Sequence, residues 1–354
     1  MNVPSRISRA PDPGRLAAVA LTFAEGVGPV TRRQMVGAHG TIRRAVEALA
    51  PDVAMRAIDR AERAASEATR IGASCVIPDD GAFPVSFNEL EDPPLAIWTL
   101  GDVVEAAASP AIAVVGTRDS TPYGERVTRS IVAGLARAGV SIVSGMARGI
   151  DAMAHRAALD AGGRTVAVLG TGVDVPYPVG HRELHGAIAR AGAIISEGPP
   201  GARAHAGCFP RRNRLIAALG GATIVVEAGV KSGAMGTVEH ALALGRTVGV
   251  VPGPVDSAQS EGTNLLIRDG ATPITSVADA LALLGLSAPG PASVQLDDAV
   301  QRKVWDALAK PARTLDVLCM SVGLPARECM TAISALEVRG AIECGMTGEI
   351  RRRS

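Results

Sequence analysis

The residues best equipped for chemistry stand just after short apolar runs, where glycine, hydroxyls and arginine recur together. Gly116-Thr117-Arg118 follows AIAVV, and Asp119-Ser120-Thr121 leads on to Pro122. Ser144-Gly145 closes VSIVS, and Met146-Ala147-Arg148-Gly149 comes next, with Asp151 and His155 beyond. Later runs end in Gly170-Thr171-Gly172, Glu197-Gly198-Pro199, Glu227-Ala228-Gly229 with Lys231-Ser232-Gly233, and Pro252-Gly253-Pro254. Glycine leaves backbone amides bare, a helix starting there adds the positive end of its dipole, and a cation completes a seat for an anion. Several such seats along one edge would make a groove for a phosphate chain.

A second cluster, Cys208-Phe209-Pro210-Arg211-Arg212-Asn213-Arg214, puts three arginines and an asparagine into one helical turn behind an aromatic. Cations at a helix N-terminus oppose the macrodipole, so the cluster costs local stability. A phosphate-binding arm, with Phe209 free to stack on a base, accounts for that cost. Solvated surface arginines are the plain alternative.

Other chemistries find little support. There is no GxxxxGK[ST] loop and no GxGxxG opening the first helix, so neither a P-loop nor a dinucleotide site is expected. Asp151 and His155 lie four apart on one helix face, a spacing that better suits fixing a turn than catalysis. Ser144 and Ser232 have no identifiable base. The five cysteines form no CxxC and no metal-ligand spacing, which reads as reduced thiols in a cytoplasmic protein. No catalytic residue, metal or cofactor is expected.

The elements that must position these residues follow from periodicity. Apolar runs at 111–116, 140–144, 165–169, 193–196, 222–226 and 247–251 alternate with helical stretches near 123–138, 149–162, 181–191, 210–219 and 234–245. Continuous apolar strands alternating with helices predict an α/β fold, a doubly wound parallel sheet covered on both faces. In such sheets ligands bind beyond the carboxyl ends of the strands, which is where the glycine turns fall. Residues 1–75 read as a small helical domain broken at Gly26-Val27-Gly28-Pro29 and at Gly37 to Gly40, in helix-hairpin-helix order or as a plain bundle. The Leu16–Ala24 run reads as a first soluble helix rather than a signal peptide, and it is too short to span a membrane. Residues 76–285 hold the sheet, and 286–296 are a Pro/Gly/Ser/Ala linker. Residues 297–354 predict three helices and a hairpin, the order of a winged helix.

The net charge of +1 conceals an uneven distribution, since residues 111–234 carry 14 Lys and Arg against 8 Asp and Glu. Only 3 of the 36 cations are lysine, and arginine suits bidentate phosphate binding. With two Trp, two Tyr and four Phe in the chain, an extended aromatic platform for bases is excluded.

The blocks AVVGTRDSTPYG, SGMARGIDAMAH, VAVLGTGVDVPYP, ISEGPPG, FPRRNRLIAAL, TIVVEAGVKSGAMGTVEHAL, VPGPVD and EGTNLLIRDGA resemble, in order, the DNA-processing protein A family (DprA, also called Smf). They span about residues 84–285, and the flanks look like that family's helical N-terminal domain and C-terminal winged helix. The resemblance implies an extended Rossmann-like domain that binds single-stranded DNA, forms a homodimer and loads the RecA recombinase during natural transformation. By position it assigns DNA contacts to Gly116, Thr117, Arg118, Ser144, Gly145 and Arg148. It extends them to Phe209, Arg211, Asn213 and Arg214 in the FPxRNR block, and to Lys231, Ser232 and Gly233. The SGAMGTVEH loop departs from the family's usual run and also resembles the PGGxGTxxE signature of LOG-like nucleoside-monophosphate phosphoribohydrolases. There the glutamate position is His240, with Glu239 shifted by one. A one-residue shift turns a helical side chain by about 100°, so Glu239 is expected to leave such a site.

Overall fold

The computed structural model describes residues 12–104, 110–287, 298–309, 314–338, 341–345 and 348–352. The chain divides into two compact units, residues 1–288 and 289–354.

The first unit opens with four helices, α1 (Pro13–Phe23), α2 (Pro29–His39), α3 (Ile42–Glu47) and α4 (Pro51–Ile71). α1 starts at Asp12, whose carboxylate accepts the Gly14 N–H at 3.3 Å, with proline at the first helical position. On α4 the buried residues Ala57, Ala61, Ala64 and Ala68 follow helical spacing, and their small side chains pack in one core with Ala17, Ala18 and Leu21 of α1. The expected break at Gly26–Pro29 separates α1 from α2. The expected break at Gly37 to Gly40 falls at its far end, because α2 continues through Gly37 to His39 and ends at Gly40, which takes the left-handed conformation at φ 77°.

The sheet that follows has nine strands, β1 (Ser74–Val76), β2 (Ile97–Gly101), β3 (Ala111–Val115), β4 (Ser141–Ser144), β5 (Thr165–Leu169), β6 (Ala193–Ser196), β7 (Ala222–Val225), β8 (Thr247–Val250) and β9 (Thr272–Pro273). Their order is β1-β2-β6-β5-β4-β3-β7-β8-β9. β3 to β9 pair in parallel, while β2 runs antiparallel to β6 and to β1. The six expected strands are all present, within a residue at each end. β3 is buried on both faces: Ile112 and Val114 enter one core, Ala113 and Val115 the other. That double burial is why its sequence is continuously apolar rather than alternating.

The chain winds from β3 through β4, β5 and β6 to one side, then returns to lay β7, β8 and β9 on the other. The topological switch therefore lies between β3 and β7. The loops leaving those two strands diverge there, and a crevice opens between them.

The second unit has helices Ala299–Ala307, Leu315–Val322 and Ala326–Val338, followed by the antiparallel pair β10 (Ile342–Cys344) and β11 (Ile350–Arg352). Asp298 and Thr314 cap the first two helices. Val304, Leu318, Leu336, Ile342 and Ile350 form its core, and the Arg352 guanidinium lies 4.4 Å from the centroid of the Trp305 ring. Most of the expected 286–296 linker, and Arg353 of the arginine tail, fall outside the described residues.

Candidate nucleic-acid interface

A groove of about 880 Å³ occupies the switch point, walled by the turn after β3, the first turns of helix Cys208–Leu219 and the loop after β7. Its shape depends on glycine. A Cβ at Gly116 would stand 2.6 Å from the Ile150 side chain and 2.8 Å from the Glu227 carbonyl, so the turn can lie flat only without one. Buried Glu227 then ties the two loops together. Its carbonyl accepts the Thr117 N–H at 2.6 Å, and its carboxylate accepts the Thr121 N–H at 2.9 Å and the Thr121 hydroxyl. A carboxylate at the N-terminus of helix Pro122–Arg137 also suits that helix's dipole.

On one wall Arg118 is exposed, with its guanidinium carbon 5.7 Å from the centroid of the Phe209 ring. Phe209 in turn lies 5.0 Å from Tyr177, the planes tilted by 35°. A cation beside a tilted aromatic pair offers charge to a phosphate and a ring to a base. The opposite wall is Lys231, Ser232 and Gly233, ahead of helix Ala234–Ala243, whose first turn has no acidic residue. Nothing would lie within 4 Å of a Cβ at Gly233, so its backbone faces open space. Asn213 joins the walls by donating from Nδ2 to the Gly233 carbonyl at 3.2 Å. Tyr177 was not among the expected contacts. The signal available was its rarity, one of two tyrosines in the chain, inside the PYP triplet.

Gly116, Thr117, Arg118, Phe209, Asn213, Lys231, Ser232 and Gly233 all line this groove. The other expected contacts do not. Ser144 is fully buried and donates to the Val114 carbonyl at 2.6 Å. Gly145 is buried too, since its N–H reaches Asp151 at 3.2 Å and its carbonyl accepts Arg212 Nη1 at 2.7 Å. Arg148 is exposed but outside the groove lining.

Arg211 and Arg214 lie off this groove as well. At 100° per residue, Phe209, Arg212, Asn213 and Ile216 share the groove face of their helix, while Arg211 and Arg214 point elsewhere. Arg214 is buried and gives Glu197 two hydrogen bonds at 2.6 Å, plus one to the Asp92 carbonyl at 2.7 Å. Arg211 reaches the same Glu197 at 3.4 Å.

Arg212, left out of the expected contacts, forms the groove floor. It is 6% exposed and binds the Gly145 and Val168 carbonyls at the ends of β4 and β5. Burial lowers its pKa and raises that of Asp151, and the attraction between the two opposes both shifts. Asp151 also accepts the Gly145 and Ala147 amides, the turn-fixing role its spacing suggests. His155 stands apart from Asp151 chemically. Its Nδ1 is 2.6 Å from the Thr165 hydroxyl, which itself donates to the Ile142 carbonyl, so Nδ1 is the protonated nitrogen. Burial pushes its pKa down to about 3, and it is held neutral.

Glu239 overturns one expectation. Helix Ala234–Ala243 begins where the sequence places it, yet Glu239 in its second turn is exposed and lines the groove together with His240 rather than being rotated out of it. Among the described residues no cluster of histidine, cysteine and carboxylate could hold a metal ion, and no helix is long and apolar enough to cross a membrane.

A mostly parallel sheet with a groove at its topological switch point defines a Rossmann-like fold. The chain belongs to the family described as DNA recombination-mediator protein A, which it matches over residues 74–285. Residues 12–70 match a DprA-like N-terminal HHH domain, and residues 287–345 the DprA winged helix domain. A Mycobacterium tuberculosis protein carrying the DprA name is 42% identical over 312 residues, covering 82% of this chain and 80% of its own. Protein Smf of Escherichia coli is 37% identical over 78% of this chain and 77% of its own. The X-ray structure of DNA processing protein A from Streptococcus pneumoniae superposes with a TM-score of 0.68 at 31% identity, over 76% of this chain and 97% of that one. A structure of the Helicobacter pylori protein, described for its single-stranded DNA binding mode, gives a TM-score of 0.55 at 31% identity, over 60% and 95%.

Proposed function

We infer that this protein binds single-stranded DNA in the groove between β3 and β7 and delivers such strands to the RecA recombinase, acting as a homodimer in the cytoplasm. The observation that carries the reading is the Arg118–Phe209–Tyr177 cluster, with Lys231 and the open Gly233 backbone lining the same groove as Arg118 and Phe209. Phosphates would meet Arg118, Lys231 and the amide of Gly233, while a base would stack on Phe209. Such contacts follow a backbone and read no base edges, so little sequence preference is expected. A duplex presents its bases already stacked on one another, leaving none to splay onto the rings. The single-stranded binding of the Helicobacter pylori relative supports the choice of ligand, and the family resemblance supports RecA and the dimer.

The test is binding of single-stranded and duplex oligonucleotides across a salt series. With Arg118 and Lys231 in the groove and Arg148 nearby, log affinity for single strands should fall with log salt at a slope of about −2, at roughly −0.7 per phosphate neutralised. Salt-independent binding, or preference for duplex, would refute the reading. RecA filament nucleation on the same strands, with and without the protein, tests the delivery step.

One observation favours a second reading, a nucleoside-monophosphate phosphoribohydrolase: Glu239 lies on the groove wall, beside the Gly233–Thr237 loop. Release of ribose 5-phosphate by the wild type, abolished in Glu239→Gln, would establish that activity. No release would dismiss it.

A further inference from the structure

A separate cavity of about 550 Å³ lies between the helical domain and the sheet domain, and it shares only Arg212 with the groove. Its walls bring together four arginines from distant parts of the sequence: Arg32 and Arg33 on α2, the latter donating to the Glu91 carbonyl, and Arg211 and Arg212 on helix Cys208–Leu219. Arg32 is partly buried; that burial and the like charge of Arg211 lower its pKa, and the attraction of Asp92 and Glu197 only partly opposes them. Two cations have thus been brought near each other without a full complement of anions. Glu197 is already engaged by two hydrogen bonds from Arg214, and Asp92 stands 3.9 Å from that same arginine. The Nε atoms of Arg32 and Arg212 are buried without a hydrogen-bond partner, although Arg212 is 94% buried as a residue. Buried donors left unpaired are costly, and an anion would satisfy them.

The remaining lining is apolar, including Phe23, Val36, Leu95 and Leu215. A cationic end joined to an apolar slot in a cavity of this size matches a ligand with a charged phosphate and a flat ring system. A phosphomonoester, carrying roughly −1.5 to −2 charges at neutral pH, complements paired guanidinium groups far better than a carboxylate does.

We propose that this cavity is a nucleotide site, with the phosphate held between Arg32 and Arg211 and the base lodged against Phe23, Leu95 and Leu215. The nucleotide is either free or the 5′-phosphorylated end of a strand, since both present the same phosphomonoester. The site does not depend on the groove reading. It gives Arg211 a role that its position away from Arg118 otherwise leaves open.

Titration calorimetry on the full chain, with 2′-deoxyadenosine 5′-monophosphate as probe, tests it. Binding is expected, weakened tenfold or more in Arg32→Gln and in Arg211→Gln. Arg32 also donates to the Thr22 carbonyl at 2.7 Å. Should Arg32→Gln melt early, Arg211→Gln decides alone, because that side chain is 43% exposed and makes one long contact. A second arm compares 5′-phosphorylated with 5′-hydroxyl oligothymidylate. Tightening by the phosphate that is lost in Arg211→Gln assigns the site to strand ends, and equal affinities alongside mononucleotide binding assign it to free nucleotide. No binding of the mononucleotide at millimolar concentration overturns the proposal. So does binding that Arg118→Ala abolishes while Arg32→Gln and Arg211→Gln retain it. Failure of the groove reading would show differently, as strand binding indifferent to Arg118→Ala with mononucleotide binding intact.

Discussion

Arg118→Ala isolates the groove's main cation. The side chain is exposed, and its one described partner is the face of Phe209 at 5.7 Å. Removing it from the free protein therefore costs little, about 0.5–1 kcal/mol for an exposed cation–π contact. In the complex the same guanidinium would give a phosphate a charge-assisted hydrogen bond worth about 1.5–3 kcal/mol, since both groups there are ionised. The difference should appear almost entirely in binding, as a loss of roughly 10- to 150-fold at 1.4 kcal/mol per decade. One fewer phosphate neutralised should also flatten the salt slope by about 0.7. Fluorescence anisotropy with labelled oligothymidylate at four or five salt concentrations measures both, and a thermal melt checks the fold. An affinity change without a slope change would mean that Arg118 shapes the groove rather than meeting phosphate. Unchanged affinity would refute the reasoning outright.

Three further outcomes are expected. Arg214→Ala should cost about 3 kcal/mol of stability, the low end for breaking a buried ion pair because Glu197 keeps 17% side-chain exposure, and should leave strand affinity in the folded fraction unchanged; a normal melt with weakened binding would place Arg214 in the groove after all. Gly124→Ala should destabilise by about 1–3 kcal/mol through overpacking, because the added methyl would stand 2.1 Å from Glu227 Oε2, and a denaturant midpoint equal to wild type would contradict the Glu227 clamp. His155 titrates near 6.5 when unfolded and at about 3 when folded, so its contribution to stability is full above pH 6.5 and declines as pH falls towards 3. Between pH 7 and 5 the wild type should therefore lose about 2 kcal/mol more than His155→Gln, and parallel acid limbs for the two proteins would show that the imidazole is not held neutral.

Much of the fold was legible because its signals are local. A strand buried on both faces has to be apolar throughout, so AIAVV, TVAVL and AIIS announce themselves, and the glycines after them mark loops forced close to neighbouring backbone. The same logic located Gly116, Thr117, Arg118 and the Lys231–Gly233 turn, since residues following a parallel strand necessarily emerge at its carboxyl edge. β1, β2 and β9 were less distinct, because strands of two to five residues at a sheet margin carry too few positions for a period to show.

What sequence could not decide was which way each residue of a cluster faces. FPRRNR reads as four polar groups in one turn, yet a helix sends neighbours 100° apart. Phe209 and Asn213 went to the groove, Arg212 beneath its floor, and Arg211 and Arg214 to the other side. The partners that fix those directions, Glu197, Asp92 and the carbonyls of Gly145 and Val168, lie between 14 and 122 residues away. The sequence by itself determined the six inner strands, their alternation with helices and the chemistry of their ends. Only tertiary structure decided which charges meet, because a charge buried against a partner and one free in a groove differ in what packs around them and not in residue type.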